Sequence, residues 1–351
     1  MISLPESEVN LQAFMKLAPS LSALPAQSAS PVIRTVDYLR VSITDRCNER
    51  CLYCMPEHYN DWTPREEILT DPEILAIIKA SIQQGFKNFR ITGGEPLLRK
   101  GVLPLIAQIT ALPGVATVSM TTNGTKLPEL AQPLFEAGLR KINISLDALD
   151  PQRYFEITRG KVEPVIEGIK QCRKAGFSSI KLNTVLMRGK NEDQIWPLIE
   201  FAQEQNVALR FIELMPLSLT EMLNETNFLP LGEVMEMIRQ REELIPFPTK
   251  LGFGPAHYYT LKKSGVKLGF IGALTELHFC DNCNKMRLTA DGKIRPCLGN
   301  HLEFDLKPFL RPEILSDRLQ EVFRSSLQEK PLEHQFRNQY QPQRIMTAIG
   351  G

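Results

Sequence analysis

The sequence predicts an α/β protein, built as a partial, laterally open (βα)6 TIM-like barrel that is followed by a smaller C-terminal module. Short β-branched runs alternate six times with longer segments in which apolar residues recur every three or four positions. Glycine and polar residues follow directly after several of these runs, where parallel α/β folds place their ligands. Six repeats fall short of the eight that close a complete barrel, so an open barrel is preferred to a flat doubly wound sheet.

The predicted strands are short and rich in apolar and β-branched residues. They cover residues 39–43, 88–92, 117–122, 141–145, 179–185 and 208–213. The predicted helices carry apolar residues at helical spacing and cover residues 74–84, 103–112, 127–137, 162–175, 194–205 and 231–239. Three strand ends lead into polar motifs, which are Thr92-Gly-Gly-Glu-Pro96, Thr121-Thr-Asn-Gly124 and Ser145-Leu-Asp147.

The pattern changes after residue 245. A linker rich in proline and glycine leads into a predicted hairpin at 258–261 and 267–271, and a further helix is expected near 314–327. We therefore predict a disordered arm at 1–31, the barrel at 32–245, and a C-terminal module at 246–351 that ends in a glycine pair.

Composition excludes several classes of function. With 351 residues, 43% hydrophobic and 23% charged residues, and a net charge of +1, the chain can bury a sizeable core and has no overall field that would attract nucleic acid or a membrane surface. The first 31 residues contain Lys16 and no arginine, which fits neither a signal peptide nor a transit peptide. No stretch approaches the roughly 18 apolar residues of a membrane span, so we expect a soluble, cytoplasmic protein.

Seven cysteines occur, and six of them form two close groups. An odd number of clustered cysteines without an export signal indicates metal ligation rather than disulfides. The seventh, Cys172, lies on an apolar helical stripe and is predicted to be a core residue.

The first group is Cys47-Asn-Glu-Arg-Cys51-Leu-Tyr-Cys54, directly after the first strand. Three thiolates leave one iron of a [4Fe-4S] cluster open, and the amino acid end of S-adenosylmethionine could chelate that iron. This spacing resembles the signature of the radical S-adenosylmethionine (SAM) superfamily. The alternative is a zinc knuckle or a set of unreactive buried thiols. The Gly-Gly pair of the 92–96 motif, on its own an ordinary turn, resembles the glycine motif with which that superfamily binds S-adenosylmethionine.

The second group is Cys280-Asp-Asn-Cys283, followed after thirteen residues by Cys297. Two interpretations remain open from the spacing. One is a structural zinc site of the Cys₃His type with His278 or His301 as the fourth ligand. The other is a second [4Fe-4S] cluster whose open iron faces the substrate.

With both groups present, the chain from about residue 36 to its C-terminus resembles the family of GTP 3',8-cyclases, the molybdenum cofactor biosynthesis proteins A. The matching runs are Leu39-Arg-Val-Ser-Ile-Thr-Asp-Arg-Cys47, Arg90-Ile-Thr-Gly-Gly-Glu-Pro96, Thr121-Thr-Asn-Gly124, Asn143-Ile-Ser-Leu-Asp147, Lys181-Leu-Asn-Thr-Val-Leu-Met187 and Arg210-Phe-Ile-Glu-Leu-Met215.

This resemblance assigns roles to particular residues. It implies that the first three cysteines bind the radical-generating cluster and that the S-adenosylmethionine site is lined by Tyr53, Gly94, Ser145 and Met215. It places the substrate near Arg40, Arg90, Thr121 and Lys181. It implies that the second cluster binds guanine, helped by Lys285, Met286 and Arg287, although the family commonly has arginine at 285 and lysine offers no planar bidentate contact. It also implies that Gly350 and Gly351 reach the active site.

The resemblance further implies a lyase that performs the first step of molybdenum cofactor biosynthesis. A 5'-deoxyadenosyl radical would remove hydrogen from C3' of GTP, and C3' would then bond to C8 of guanine. No side chain is expected to be catalytic, since the radical is generated at the cluster. The cofactors implied are two [4Fe-4S] clusters and S-adenosylmethionine. The partners implied are a reductant of the flavodoxin or ferredoxin type and the downstream cyclic pyranopterin monophosphate synthase. The resemblance allows a homodimer.

Two rival functions are considered. A peptide-modifying or sulfatase-maturing radical enzyme would usually carry more than three cysteines in its C-terminal module. An electron carrier or a zinc-stabilised binding protein would leave the arginine and lysine residues on the predicted strands unexplained.

Overall fold

A computed structural model describes residues 34–220, 222–249, 251–252, 254–276, 278–338 and 340–350. The predicted arm at 1–31 lies outside the described residues. In the part of the chain that is described, none of the helices combines the length and the apolar character needed to cross a membrane. The cytoplasmic location stays a prediction.

Six parallel strands form the centre of the molecule and follow one another in chain order. They are β1 (Tyr38–Ser42), β2 (Asn88–Thr92), β3 (Thr117–Thr122), β4 (Lys141–Ser145), β5 (Ser179–Leu186) and β6 (Ala208–Glu213). All six agree with the predicted strands to within one residue at each end. The sheet does not close on itself, so the predicted open α/β barrel is confirmed.

Helices cover the outer face of this sheet. They are α1 (Asp71–Gln83), α2 (Val102–Thr110), α3 (Leu127–Glu136), α4 (Pro151–Thr158), α5 (Val162–Ala175), α6 (Ile195–Glu204), α7 (Leu231–Arg239) and α8 (Ser316–Gln328). Only α4 was not predicted, although its start carries a clear signal. Asp150 caps it by accepting a hydrogen bond of 2.8 Å from the amide of Arg153, and Pro151 occupies the first helical position.

Strand alternation separates the apolar core from the barrel interior. In β5, Ile180, Leu182, Thr184 and Leu186 are buried under the helices, whereas the residues between them face the interior and include Lys181 and Asn183. The predicted core residue Cys172 is fully buried in the apolar layer, as expected. The interior is therefore free to carry polar and charged side chains.

The C-terminal residues extend both edges of the barrel. Strand β10 (Lys285–Leu288) pairs in parallel with β1, and β9 (Lys267–Ile271) pairs in parallel with β6. Outside them lie β11 (Lys293–Arg295) and β12 (Phe304–Asp305) on one side, and β8 (His257–Leu261) and β7 (Leu244–Pro246) on the other. The hairpin of β8 and β9 agrees with the prediction. The domain boundary after residue 245 stays a prediction, and it falls within β7.

Helix α8 packs against α1, and an aromatic contact joins α8 to Phe86, which lies just after the end of α1. Phe323 is fully buried, and its ring lies 5.6 Å from that of Phe86 in an edge-to-face arrangement. We expect Phe323→Ala to lower the free energy of unfolding by about 3–5 kcal/mol, because it removes a large buried ring and leaves a cavity.

Denaturant titration of the purified chain measures this loss. Arg324→Ala, one residue further along α8 on its exposed face, is the matched control and should stay within about 0.5 kcal/mol of the parent. Equal stability of Phe323→Ala and the control would contradict the role assigned to this contact.

Candidate active site

A cavity of ≈ 380 Å³ occupies the barrel interior. Its wall combines side chains from all six central strands with both cysteine groups and with the C-terminal residues Met346 and Thr347. Ten of the residues predicted for the S-adenosylmethionine and substrate sites line it, namely Tyr53, Gly94, Ser145, Met215, Arg40, Arg90, Thr121, Lys181, Lys285 and Arg287. The structure therefore brings together residues that are far apart in the sequence.

The loop that carries the first cysteine group is fastened to the glycine motif after β2. The amide of Gly94 donates to the carbonyl of Thr44 at 2.7 Å, and the amide of Glu95 donates to that of Arg46 at 2.7 Å. A Cβ atom at position 94 would overlap the backbone carbonyl oxygens of Asp45 and Arg46. Glycine is required here because the two backbones lie in direct contact.

Burial makes the three thiols of this loop hard to ionise. Burial, together with the carboxylates of Glu95 and Glu49, raises the pKa of Cys47 to about 12. It also raises the pKa of Cys51 and Cys54 well above the usual range, and each of these thiols is affected by another cysteine of the group. Thiolates in this position need a positive partner, and a set of ferric and ferrous ions supplies one. The donor set therefore fits an iron-sulfur cluster.

Three buried carboxyl groups surround the same loop. Glu95 accepts hydrogen bonds from the amides of Asn123 and Leu97 and from the hydroxyl of Thr122, at 2.7 to 2.9 Å. Asp147 accepts one from the hydroxyl of Tyr53 at 2.7 Å. Burial raises the pKa of Glu49 to about 8, that of Glu95 to about 7 and that of Asp147 to about 6. This region favours a ligand that carries positive charge.

Positive charge dominates a second region of the cavity. Arg287, Arg40 and Arg90 are register partners on three neighbouring strands, and Lys181 and Arg210 face them from β5 and β6. These side chains lie within the strands and converge on the barrel interior. The guanidinium Nε of Arg40 is buried and has no hydrogen-bond partner among the residues that the structure describes. We call these five residues the cation ring.

The cations repel one another because they are buried together. Burial, together with the charges of Arg210 and Arg90, lowers the pKa of Lys181 to about 7. Burial, followed by the charge of Arg287, lowers the pKa of Arg40 well below its ordinary value. Burial would raise the pKa of Tyr38, but Arg90 and Arg40 lower it overall, and its hydroxyl accepts a hydrogen bond from Arg90. A polyanion would relieve this repulsion.

Sequence reasoning assigned no role to Arg210, although the residue belongs to the cation ring. Its Nε donates to Asn183 at 2.8 Å, and the residue is buried. It occupies the third position of β6, as Arg40, Arg90 and Lys181 do in their strands. That shared position was the signal that could have found it.

One predicted substrate residue, Met286, is placed differently from the rest. Met286 is fully buried in the apolar core, because strand alternation turns it away from the cavity that its neighbours Lys285 and Arg287 face. Thr121 lines the cavity and accepts a hydrogen bond of 3.2 Å from Arg90.

Gly350 contacts two arginines of the cation ring. The carbonyl of Gly350 accepts hydrogen bonds from Arg287 at 2.5 Å and from Arg40 at 3.4 Å. A Cβ atom at position 350 would lie 3.0 Å from that of Ser42, so the chain is in close contact with β1 there. Gly351 lies outside the described residues.

The second cysteine group borders the cation ring. Burial raises the pKa of Cys280 to about 11 and raises that of Cys297, whereas for Cys283 the charges of Lys330 and Lys285 outweigh burial and lower the pKa. The two candidate zinc-binding histidines each have one close contact. His301 stacks on Tyr340 with ring centres 4.7 Å apart, and the exposed His278 contacts Asp281 at 2.9 Å.

Among the described residues, no three histidine, cysteine, aspartate or glutamate side chains converge tightly enough to hold a single metal ion. In a [4Fe-4S] cluster, by contrast, each cysteine binds a different iron atom.

Comparison with known proteins agrees with this geometry. The family model described as "Radical SAM superfamily" matches residues 41–202, and the model "Molybdenum Cofactor Synthesis C" matches residues 207–336. The crystal structure of Streptococcus suis SuiB superposes with a TM-score of 0.53 at 18% identity, covering 82% of this chain and 66% of that one. The S-adenosylmethionine complex of SuiB gives 0.52 at 18% identity, with 83% and 68% coverage. The fold and the site thus define a radical SAM protein.

Relatives with higher sequence identity identify the family within this superfamily. A GTP 3',8-cyclase from Pelotomaculum thermopropionicum is 41% identical over 320 residues, which are 91% of this chain and 98% of that protein. Those of Pseudomonas syringae pv. syringae and Moorella thermoacetica are 43% and 42% identical over 91% of this chain and 97% and 98% of theirs. The chain belongs to the GTP 3',8-cyclase family. Its superfamily implies S-adenosylmethionine and an iron-sulfur cluster as cofactors.

The packing of Gly94 generates a test. We expect Gly94→Ala to displace the first cysteine loop, because the new methyl group overlaps backbone atoms that have no free space to move into. Affinity for S-adenosylmethionine should fall by about 10-fold or more, as measured by equilibrium dialysis of the anaerobically reconstituted protein.

Gly254→Ala is the matched control, since a Cβ atom there meets Arg210 only at 3.8 Å and Ala256 only at 3.9 Å, which are ordinary contact distances. Parental affinity in Gly94→Ala would show that the backbone contact does not position the site.

Proposed function

We propose that the chain is a lyase that converts GTP to (8S)-3',8-cyclo-7,8-dihydroguanosine 5'-triphosphate, the first step of molybdenum cofactor biosynthesis. One observation carries the proposal: a single cavity joins the carboxyl-lined cysteine group to the cation ring. A positively charged sulfonium cofactor fits the first region, and a triphosphate fits the second. The reacting parts of both ligands would then meet between them.

The cation ring is proposed to bind the triphosphate. Arginine guanidinium groups bind phosphate oxygens through paired hydrogen bonds, and the unpartnered Nε of Arg40 is one available donor. Thr121 positions Arg90 through the hydrogen bond at 3.2 Å. The carbonyl of Gly350 orients Arg287 and Arg40 in the same way.

Cys47, Cys51 and Cys54 are proposed to hold the first cluster, which would supply the electron for reductive cleavage of S-adenosylmethionine to a 5'-deoxyadenosyl radical. The chain's own contribution is to hold the ligands and to exclude water. Gly94 lines the cavity and holds the cysteine loop against β2, and Ser145 offers a hydroxyl. Tyr53 and Met215 form an apolar wall that packs with Leu214 and Leu217.

The second cysteine group is proposed to hold a second [4Fe-4S] cluster that faces guanine. Three thiols are present, and Cys283 and Cys297 line the cavity. Lys285 and Arg287 flank the position where the base would lie, while Met286 is proposed to support them from the core. A flavodoxin or ferredoxin is proposed as reductant, and the cyclic pyranopterin monophosphate synthase as the enzyme that takes the product.

The lowered pKa of Lys181 predicts a pH dependence of GTP binding. Lys181 has a pKa of about 7 in the free protein and loses its charge above that pH. Because the triphosphate binds the protonated form, GTP affinity should fall as pH rises from about 7 to about 9.

Lys181→Met should weaken GTP binding by about 10-fold or more and flatten this pH profile, as measured by calorimetry at several pH values. The exposed Lys174→Met on α5 is the control. If GTP affinity is independent of pH and unaltered in Lys181→Met, the proposed placement of the triphosphate beside Lys181 is wrong.

The reaction itself is tested with isotopically labelled substrate. The reconstituted and reduced enzyme, given S-adenosylmethionine and GTP carrying deuterium at C3', should release 5'-deoxyadenosine that contains deuterium, since the hydrogen comes from that carbon. Mass spectrometry of the nucleoside measures the transfer, and GTP deuterated at C2' is the control. Release of unlabelled 5'-deoxyadenosine from the C3'-labelled substrate would exclude the proposed chemistry.

A further inference from the structure

We propose that Lys330 is a positioning residue of the second cysteine group. Its ammonium holds the two chain segments that carry Cys283 and Cys297 in a fixed relation and places a positive charge against the Cys283 sulfur. The inference rests on the proposed function, in that the second group is taken to hold a [4Fe-4S] cluster. Neither the sequence motifs nor the residues proposed for the substrate include Lys330.

Three contacts of one ammonium group carry the inference. The Nζ atom of Lys330 donates to the carbonyl of Lys285 at 2.8 Å and to the carbonyl of Pro296 at 2.6 Å, and it lies 3.8 Å from the Sγ atom of Cys283. Lys285 follows Cys283 by two residues, and Pro296 directly precedes Cys297. An ammonium has three donor hydrogens, so all of them are directed at this site.

The same segment is tied to the third cysteine. Arg34 donates to the carbonyls of Leu332 at 2.7 Å, Pro331 at 3.0 Å and Cys280 at 3.2 Å. Residues 330–332, which follow α8, are therefore connected to the backbone beside each of the three cysteines. Because α8 packs on α1 through Phe323, the segment has a rigid support in the barrel.

The charge at this position has a chemical consequence. Reduction of an iron-sulfur cluster adds one negative charge, and a neighbouring cation stabilises the reduced form more than the oxidised form. Lys285, Arg287 and Arg34 contribute positive charge nearby. Lys330 differs from them in contacting a ligand sulfur directly, so its removal should lower the reduction potential and loosen the two segments together.

The test isolates the second group in the full-length chain. Cys47, Cys51 and Cys54 are replaced by alanine so that only the second group can hold a cluster, and this parent is compared with its Lys330→Met and Lys330→Arg derivatives. Iron and sulfide content after anaerobic reconstitution, and a redox titration followed by electron paramagnetic resonance, are the readouts. The exposed Lys170→Met on α5 is the matched control.

Lys330→Met is expected to bind iron about 10- to 100-fold more weakly than the parent and, where a cluster forms, to show a more negative potential. Lys330→Arg keeps the charge and should retain the parental potential, which loss of packing alone would not explain. Parental iron content and potential in Lys330→Met would overturn the inference while leaving the second cluster established. A parent that binds zinc, or no iron, would instead overturn the proposed second cluster and this inference with it.

Discussion

The mutual repulsion of buried cations is the constraint on which this structure depends. The five side chains of the cation ring point into one barrel interior. Burial and neighbouring positive charges lower the pKa values of Arg40, Lys181, Arg210 and Arg287. Hydrogen bonds to Asn183, to the Tyr38 hydroxyl and to the carbonyls of Gly350 and Leu251 offset part of that cost. The remainder is available as binding energy for an anion, because a partner that neutralises several charges relieves all the pairwise repulsions at once.

The opposite polarity of the first cysteine region follows from the same logic. Glu49, Glu95 and Asp147 are buried beside thiols that are themselves costly to ionise. Each carboxyl group accepts a hydrogen bond: Glu49 from the hydroxyl of Tyr154, Asp147 from the hydroxyl of Tyr53 and Glu95 from the amide of Asn123. These bonds hold the loop in shape although the buried charges are unfavourable. One cavity therefore distinguishes a cationic ligand from an anionic one by position, and a nearly neutral chain binds both without a strong overall field.

Much of this could be predicted from the sequence because it is local. The β-branched runs, the helical spacing and the cysteine spacings are each contained within a few residues, and the six strands agree with expectation. Long-range pairing is different. Nothing in the Lys285–Leu288 segment says that it pairs with β1, since strand partners are set by the tertiary fold. The contacts of Lys330 are with residues distant in sequence, so no local motif indicates them. Arg210 shares the third strand position of Arg40, Arg90 and Lys181, which is visible only when the strands are compared with one another. Met286 was grouped with Lys285 and Arg287 by resemblance, whereas alternation along the strand places it in the core.

The pairing of β10 with β1 and of β9 with β6 also sets an order for biosynthesis. A ribosome releases the six central strands before the segments that cover their edges have been made. Until then the nascent barrel exposes the unpaired backbone groups of Tyr38–Ser42 and of Ala208–Glu213, which are sites for pairing with other chains. The second cysteine group is complete only when Cys297 has been made, so both cysteine groups exist in one molecule only after all six central strands have been synthesised.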